Sequence, residues 1–416
     1  MHSSAARKKI FAVALLVLAT VMILSVGVFA DGEDTSSNPF YATFFALIPP
    51  IVAIGLALIT KEVYSSLFIG LFVGALFCGS FKPLGVIDAL VDDGMIPAVA
   101  DNAGIFLFLV LLGVMVALIN KTGAAAAFGK WAQTHIKTRI GAMLATFALG
   151  VLIFIDDYFN CLTVGSVMLP VTDSKKISRA KLAFLIDATA APVCMIAPIS
   201  SWAAAVSSYA EGTGYSGLEL FVKAIPFNYY SLMTLLFIVL TTLMVVDYGP
   251  MLKHERNAIE KGDLFTTGES TNRSKEELEV NEKGKTIDLI LPVALLIVFC
   301  VFGLVYVGGI FDGLNFIDAF SNTDAFVGLP WGGIVTLVIT IIYLICRRVI
   351  TFKQAMECVP KGFIAMVPAI TILTLATSLK NMTSILGARD FIAGLMEHAA
   401  SGLSLFLPAV IFLVAC

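Results

Sequence analysis

The chain has 416 residues, of which 58% are hydrophobic and 14% charged, with a net charge of −3. A soluble domain carries about 25% charged residues, so the composition defines an all-α polytopic membrane protein in contact with the lipid bilayer. The net charge says nothing about nucleic acid, and the sequence holds no basic cluster of the kind nucleic-acid binding needs, so no nucleic acid is expected as a partner.

Residues 1–30 hold basic residues followed by an apolar run from Ile10 to Ala30. This is a signal peptide or a membrane anchor, and both place Asp31 outside. Further apolar segments lie near 42–60, 63–80, 103–120, 141–169, 182–208, 227–247, 287–308, 329–346, 362–379 and 403–416. The stretch 251–286 is rich in Glu, Lys, Asn, Ser and Thr and reads as a mobile cytoplasmic linker. It separates a first transport repeat, 41–250, from a second, 287–416. The seven cysteines are scattered and form no C-x-x-C pair, so they read as small apolar residues. All four histidines lie in polar segments or at their edges. Proton chemistry inside the membrane therefore falls to carboxylates.

Lys and Arg placement orients the spans. Three basic clusters read as cytoplasmic: Lys121, Lys130, Lys137 and Arg139; Lys175, Lys176, Arg179 and Lys181; and Arg347, Arg348, Lys353 and Lys361. Segments 81–102 and 309–328 are acidic and read as external. Segment 141–169 thus begins and ends on the cytoplasmic side. A re-entrant hairpin satisfies this, with its tip near mid-membrane at Ile155–Asn160; the alternative is one tilted span and a miscounted loop. The tip carries Asp156 and Asp157. A carboxylate at the bilayer centre costs roughly 2.5–3.5 kcal/mol on insertion scales, so such a pair calls for a function or a cap.

The next segment, 183–210, carries Asp187, two prolines (Pro192 and Pro198), and Ser200 and Ser201. Each proline removes a helix hydrogen bond. The expected result is a broken helix whose freed backbone groups face a site; the alternative is a kinked span with an incidental polar patch. Asp187 stands under two turns from Lys181, so it is either a site residue or an acid at the membrane edge.

"LINKTGAAAAFGKWA" (118–132) aligns with "LKNMTSILGARDFIA" (379–393) at Asn120/Asn381, Thr122/Thr383 and Ala132/Ala393. The charge count gives the two opposite orientations, as an inverted repeat requires. The same offset carries Asp156 past the last residue. The expectation is a fragment whose second repeat is truncated before its own hairpin and broken helix.

The stretch "FIDDYFNCLTVGSVMLPVTDSKKISRAKLAFLIDATAAPVCMIAPISSWAA" resembles the signature region of the NhaC-type sodium/proton antiporters, a family within the wider ion-transporter superfamily of secondary carriers. "IPPIVAIGLALITKEV" at 48–63 is similar to that family's start. The resemblance runs from about Tyr41 to the end. It implies a secondary carrier of the cell membrane that exchanges Na+ for H+ by alternating access. Relatives that move malate and lactate or amino acids keep a cation-coupled organic-acid or amino-acid carrier as the alternative. It also implies an ion site built from Asp156, Asp157, Asn160, Thr163, Asp187, Pro192, Ser200 and Ser201. Homodimer formation is open, and no cofactor beyond the transported ions is expected.

The residue chemistry agrees. Na+ takes oxygen ligands: carboxylates, hydroxyls, amides and backbone carbonyls. Asp156 or Asp157 supplies the charge, with Asn160, Thr163, Ser200, Ser201 and unwound carbonyls near Pro192–Pro198 around it. Desolvation raises a carboxylate pKa and a bound cation lowers it, so one site holds either a proton or Na+. One aspartate serves as the ligand and the other as the cap of the second hairpin helix. An intramembrane enzyme would need a nucleophile–base or metal pair, and neither is present in the apolar segments, so no catalytic residue is expected.

Overall fold

The computed structural model describes residues 38–154, 157–198, 200, 202–203, 214–215, 217–266 and 283–394. Every regular element among them is helical. The signal-or-anchor segment 1–30 and the apolar run 403–416 lie outside the described residues. Among the described residues, five helical stretches are long and apolar enough to cross a membrane: Ala103–Thr122, Tyr229–Lys261, Ile287–Val307, Ala325–Cys346 and Phe352–Ile385. The protein is therefore a multi-pass membrane protein.

The described chain forms two compact units, one from the residues up to Asn102 together with those from Pro368 on, the other from Ala103 to Val367.

In the first unit, α1 (Ile48–Thr60) carries Pro49 and Pro50 in its first turn, where a missing N–H costs little. Lys61 turns the chain with φ 57°. Glu62 then caps α2 (Val63–Cys78), accepting from the Tyr64 and Ser65 amides. The two helices fold back on each other closely: a Cβ at Gly70 would stand 2.6 Å from that of Ala53. At 1.5 Å per residue, their 13 and 16 residues are about 20 and 24 Å long, short of the ~30 Å hydrocarbon core. The acidic segment continues as α3 (Pro83–Asp88), a π turn (Ala89–Met95) and α4 (Ile96–Asp101). Its Asp88, Asp92, Asp93 and Asp101 are all exposed. Asn381 donates to the Gly94 carbonyl and Asn102 to the Thr377 hydroxyl, tying the C-terminal segment of this unit to the π turn and α4.

The second unit begins with α5 (Ala103–Thr122), which turns at Gly123 (φ 76°) into α6 (Ala124–His135). Next come α7 (Arg139–Leu152), α8 (Asp157–Ser174) and α9 (Arg179–Cys194). Thr138 and Ser178 cap α7 and α9 through the amides of Gly141 and Lys181. After them come α10 (Gly217–Ala224), α11 (Tyr229–Met244), α12 (Gly249–Lys261), α13 (Ile287–Val307), α14 (Phe316–Ser321) and α15 (Ala325–Cys346). The last helix, α16 (Phe352–Ile385), lies in this unit as far as Val367.

The core of this unit centres on α8. Val164, Val167, Met168 and Val171 recur at helical spacing and are buried with Leu112 and Met115 of α5 and Leu182 and Leu185 of α9. Glycines set a close contact between α13 and α15, where a Cβ on Gly332 would collide with the Phe299 carbonyl oxygen.

One expectation is corrected here. The polar stretch 251–286 does not begin as a mobile linker, because its first part is α12, whose Glu255 and Ala258 are buried. Beyond α12, the Leu264 carbonyl accepts the Arg179 amide, and Thr266 pairs with His254. A buried ion pair at Glu255 holds this segment down despite its charged composition. Residues 267–282 lie outside the described residues.

Candidate functional site

The geometry starts at the basic end of α7, α8 and α9. Glu255 is 2% exposed. It forms an ion pair with Arg139, at the start of α7, and accepts the Ser178 amide four residues past the end of α8. One carboxylate therefore joins the first residue of α7 to the chain just beyond α8. Lys181 pairs with Asp247 at 2.7 Å, and Arg179 with Asp173 at 2.7 Å. Elsewhere in the unit, Asp288 is fully buried between Arg347, the Tyr343 hydroxyl and the Lys285 amide.

At their other ends, α7 and α8 meet. The Asn160 amide donates to the Gly150 carbonyl at 2.6 Å and to the Ile153 carbonyl at 2.8 Å. These carbonyls belong to the last turn of α7, where no intrahelical partner is available. Contact between residues ten apart requires the chain to fold back, so 139–174 is a helical hairpin. Gly150 also seats α9: a Cβ there would stand 2.8 Å from the Thr189 methyl. Three helices thus converge on Gly150, Asn160 and Thr189.

At 1.5 Å per residue, the 18 residues of α8 put Asp157 about 25 Å from Ser174.

Asp157 opens α8, and its carboxylate Oδ1 accepts the Trp202 indole N–H at 3.3 Å. One turn on, Asn160 is fully buried, and its Oδ1 has no partner among the described residues. A turn further, Thr163 is 2% exposed and its hydroxyl is also unpartnered among them. Isolated buried hydroxyls without partners occur elsewhere, at Ser231 and Thr242 in α11 and at Thr340 in α15. The tip differs in stacking two such oxygens on successive turns beneath a carboxylate.

The second break follows α9. Pro192 lies inside that helix, which ends at Cys194, and Pro198 stands in the irregular stretch beyond. Ser200 is buried; its hydroxyl donates to the Cys194 carbonyl at 2.6 Å and accepts the Ala203 amide at 3.2 Å. Ser200 is thus committed as a cap. Asn228 also closes the end of α9, donating to the Met195 carbonyl at 3.4 Å while capping α11 through the Ser231 amide.

The structure brings Asp157, Asn160 and Thr163 onto successive turns and links the second break to them through Trp202. Asp187 is not brought to them: it lies on the exposed face of α9, about 200° around from the buried Thr189. Asp156 and Ser201 lie outside the described residues. The indole partner of Asp157 was not found in the sequence, where Trp202 beside Ser200 and Ser201 reads as lining an organic-substrate pocket or as packing; 45 residues separate the pair. No group of three His, Cys, Asp or Glu side chains able to hold a metal occurs among the described residues. The donors at the tip are oxygens, the ligand type suited to Na+ rather than to a transition metal.

A model of the Na+/H+ antiporter family matches residues 193–416. A protein of Haemophilus influenzae named "Uncharacterized protein" is 31% identical over 392 residues, covering 90% of this chain and 73% of the relative. No solved structure matches. The chain belongs to the Na+/H+ antiporter family. It is thus a membrane ion-transport protein of the antiporter type, from a transporter family and not an enzyme family. The matched region includes Ser200 and Trp202 and begins after α7 and α8.

Proposed function

We propose that this protein exchanges Na+ for H+ across the cell membrane by alternating access, with the exchanged cation held at the tip of the α7–α8 hairpin. The observation that carries this reading is the pair of buried, unpartnered oxygens, Asn160 Oδ1 and Thr163 Oγ1, on the turns below Asp157. Leaving a polar atom buried and unpaired costs about 1–3 kcal/mol. A cation at the tip would remove that cost at both atoms. Asp157 supplies charge, and Asp156 enters on the sequence alone. The α7 C-terminus adds the carbonyl end of a helix dipole, which favours a cation. Protonation of a site carboxylate and binding of Na+ exclude each other, and this competition couples the two flows. No other cofactor is needed.

The inverted repeat belongs to the same proposal. In each half, a long helix ends in a left-handed glycine and a new helix follows: Gly123 (φ 76°) after α5, and Gly387 (φ 68°) shortly after α16. The shared corner is offset by three residues from the alignment of Asn120 with Asn381.

The test is transport by the purified protein in proteoliposomes under imposed Na+ and pH gradients, with and without malate, lactate or amino acids. Na+-driven proton movement without any organic solute is expected, and either Asp156→Asn or Asp157→Asn should abolish it. Transport that requires an organic solute would replace Na+/H+ exchange by an organic-acid or amino-acid carrier. Full exchange in both variants would remove the tip as the site.

A further inference from the structure

We infer that Trp202 is the positioning residue for Asp157: its indole holds one carboxylate oxygen so that the other is presented to the exchanged cation. This rests on the tip site proposed above and adds a residue from a separate break in the chain to it.

Asp157 sits at the first position of a helix, where its carboxylate accepts from its own amide and from that of Tyr158. Those bonds tie it to the helix end, and the indole adds a hold from a separate part of the chain. The indole N–H of Trp202 draws Oδ1 from outside the helix at 3.3 Å. A tryptophan suits this task. It donates one hydrogen bond, accepts none and carries no charge, so it orients the carboxylate without competing for the cation.

The position of Trp202 is itself fixed. Two residues before it, the buried Ser200 hydroxyl ties the Cys194 carbonyl to the Ala203 amide. This clasp spans the Pro198 break and anchors the turn that carries the indole to the end of α9. Meanwhile α9 is seated on Gly150 through Thr189, and the Gly150 carbonyl is held by Asn160. The orienting donor and the oxygens below Asp157 are therefore parts of one framework. Pro192 and Pro198 gain a role in it: a continuous helix past Cys194 would consume the carbonyl that Ser200 uses.

The experiment is Na+-dependent exchange by the full protein in proteoliposomes at pH 8.5, for wild type, Trp202→Phe, Trp202→His and Asp157→Asn. Phe keeps the ring and loses the donor, whereas neutral His restores an N–H. Loss of a hydrogen bond to a charged group should raise the KM for Na+ about tenfold in Trp202→Phe, with kcat close to wild type and KM partly restored in Trp202→His. If Asp157→Asn abolishes exchange while Trp202→Phe keeps the wild-type KM, the positioning role is wrong and the tip site stands. If Asp157→Asn exchanges normally, Asp157 is not the ligand and the positioning role is wrong, while the tip site falls only if Asp156→Asn exchanges normally too. A second measurement covers the case in which Trp202→Phe does not fold. With Trp131→Phe and Trp331→Phe, Trp202 is the protein's sole tryptophan. Na+ should then shift its emission, and Asp157→Asn should remove the shift; emission indifferent to Na+ would overturn the inference.

Discussion

The helix ends of the second unit and the tip of the α7–α8 hairpin both bury polar groups in an apolar protein, and they treat them in opposite ways. At the helix ends, buried charges face opposite charges: Glu255 meets Arg139, Lys181 meets Asp247, and Asp288 meets Arg347. Their attraction is spent on the fold. Glu255 in particular closes the base of the hairpin, and Asp288 joins α13 to α15. At the tip, Asn160 spends its amide nitrogen on the fold and leaves its oxygen free, and the Thr163 hydroxyl makes no bond among the described residues. A protein that sets its buried charges against opposite charges at one place and leaves neutral oxygens without a partner at another separates scaffold from site. The scaffold groups should govern stability and the tip groups ion affinity.

The largest effect expected from that separation is at Glu255. Glu255→Gln leaves Arg139 without its counter-charge. Breaking a buried pair costs about 3–5 kcal/mol, and the lower end applies because Arg139 is 21% exposed. Thermal unfolding in detergent should show the loss, while the KM for Na+ of the folded fraction stays at the wild-type value. A large rise in KM without a change in stability would erase the distinction.

Thr163→Val tests the other side with a smaller effect. It keeps the shape and removes a buried hydroxyl that has no partner. Stability should hold or rise by up to about 1 kcal/mol, whereas Na+ affinity should fall roughly tenfold. A destabilised variant with normal affinity would assign Thr163 to the scaffold.

The hairpin was legible because basic residues bracket segment 141–169 on both sides, and two aspartates in an apolar run marked its tip. The second break was legible from Pro192 and Pro198. What sequence reasoning lacked was the partner of each polar group. Asn160 reads as a ligand, but only the folded chain shows that its amide nitrogen is taken by Gly150 and Ile153 and that its oxygen alone is left for a cation. Ser200 reads the same way until its hydroxyl is seen to close a helix break. Asp187 reads as a site residue because position along a helix does not reveal which face is covered. The miss at α12 has a different cause. Its charged composition suggested a linker, yet Pro250 in the first turn and Gly262 (φ 69°) just past the end are helix start and stop signals. Weighing those signals above composition would have found the helix.

The most direct measurement is the Na+-dependent rise in unfolding temperature. A cation that binds only the native state stabilises it in proportion to the logarithm of its concentration over Kd. Wild type and Glu255→Gln should both gain stability with Na+ and not with an equal concentration of a large organic cation, even though their starting temperatures differ. The double variant Asp156→Asn with Asp157→Asn should gain none. The same Na+ gain in that double variant as in wild type would contradict a cation site at the hairpin tip.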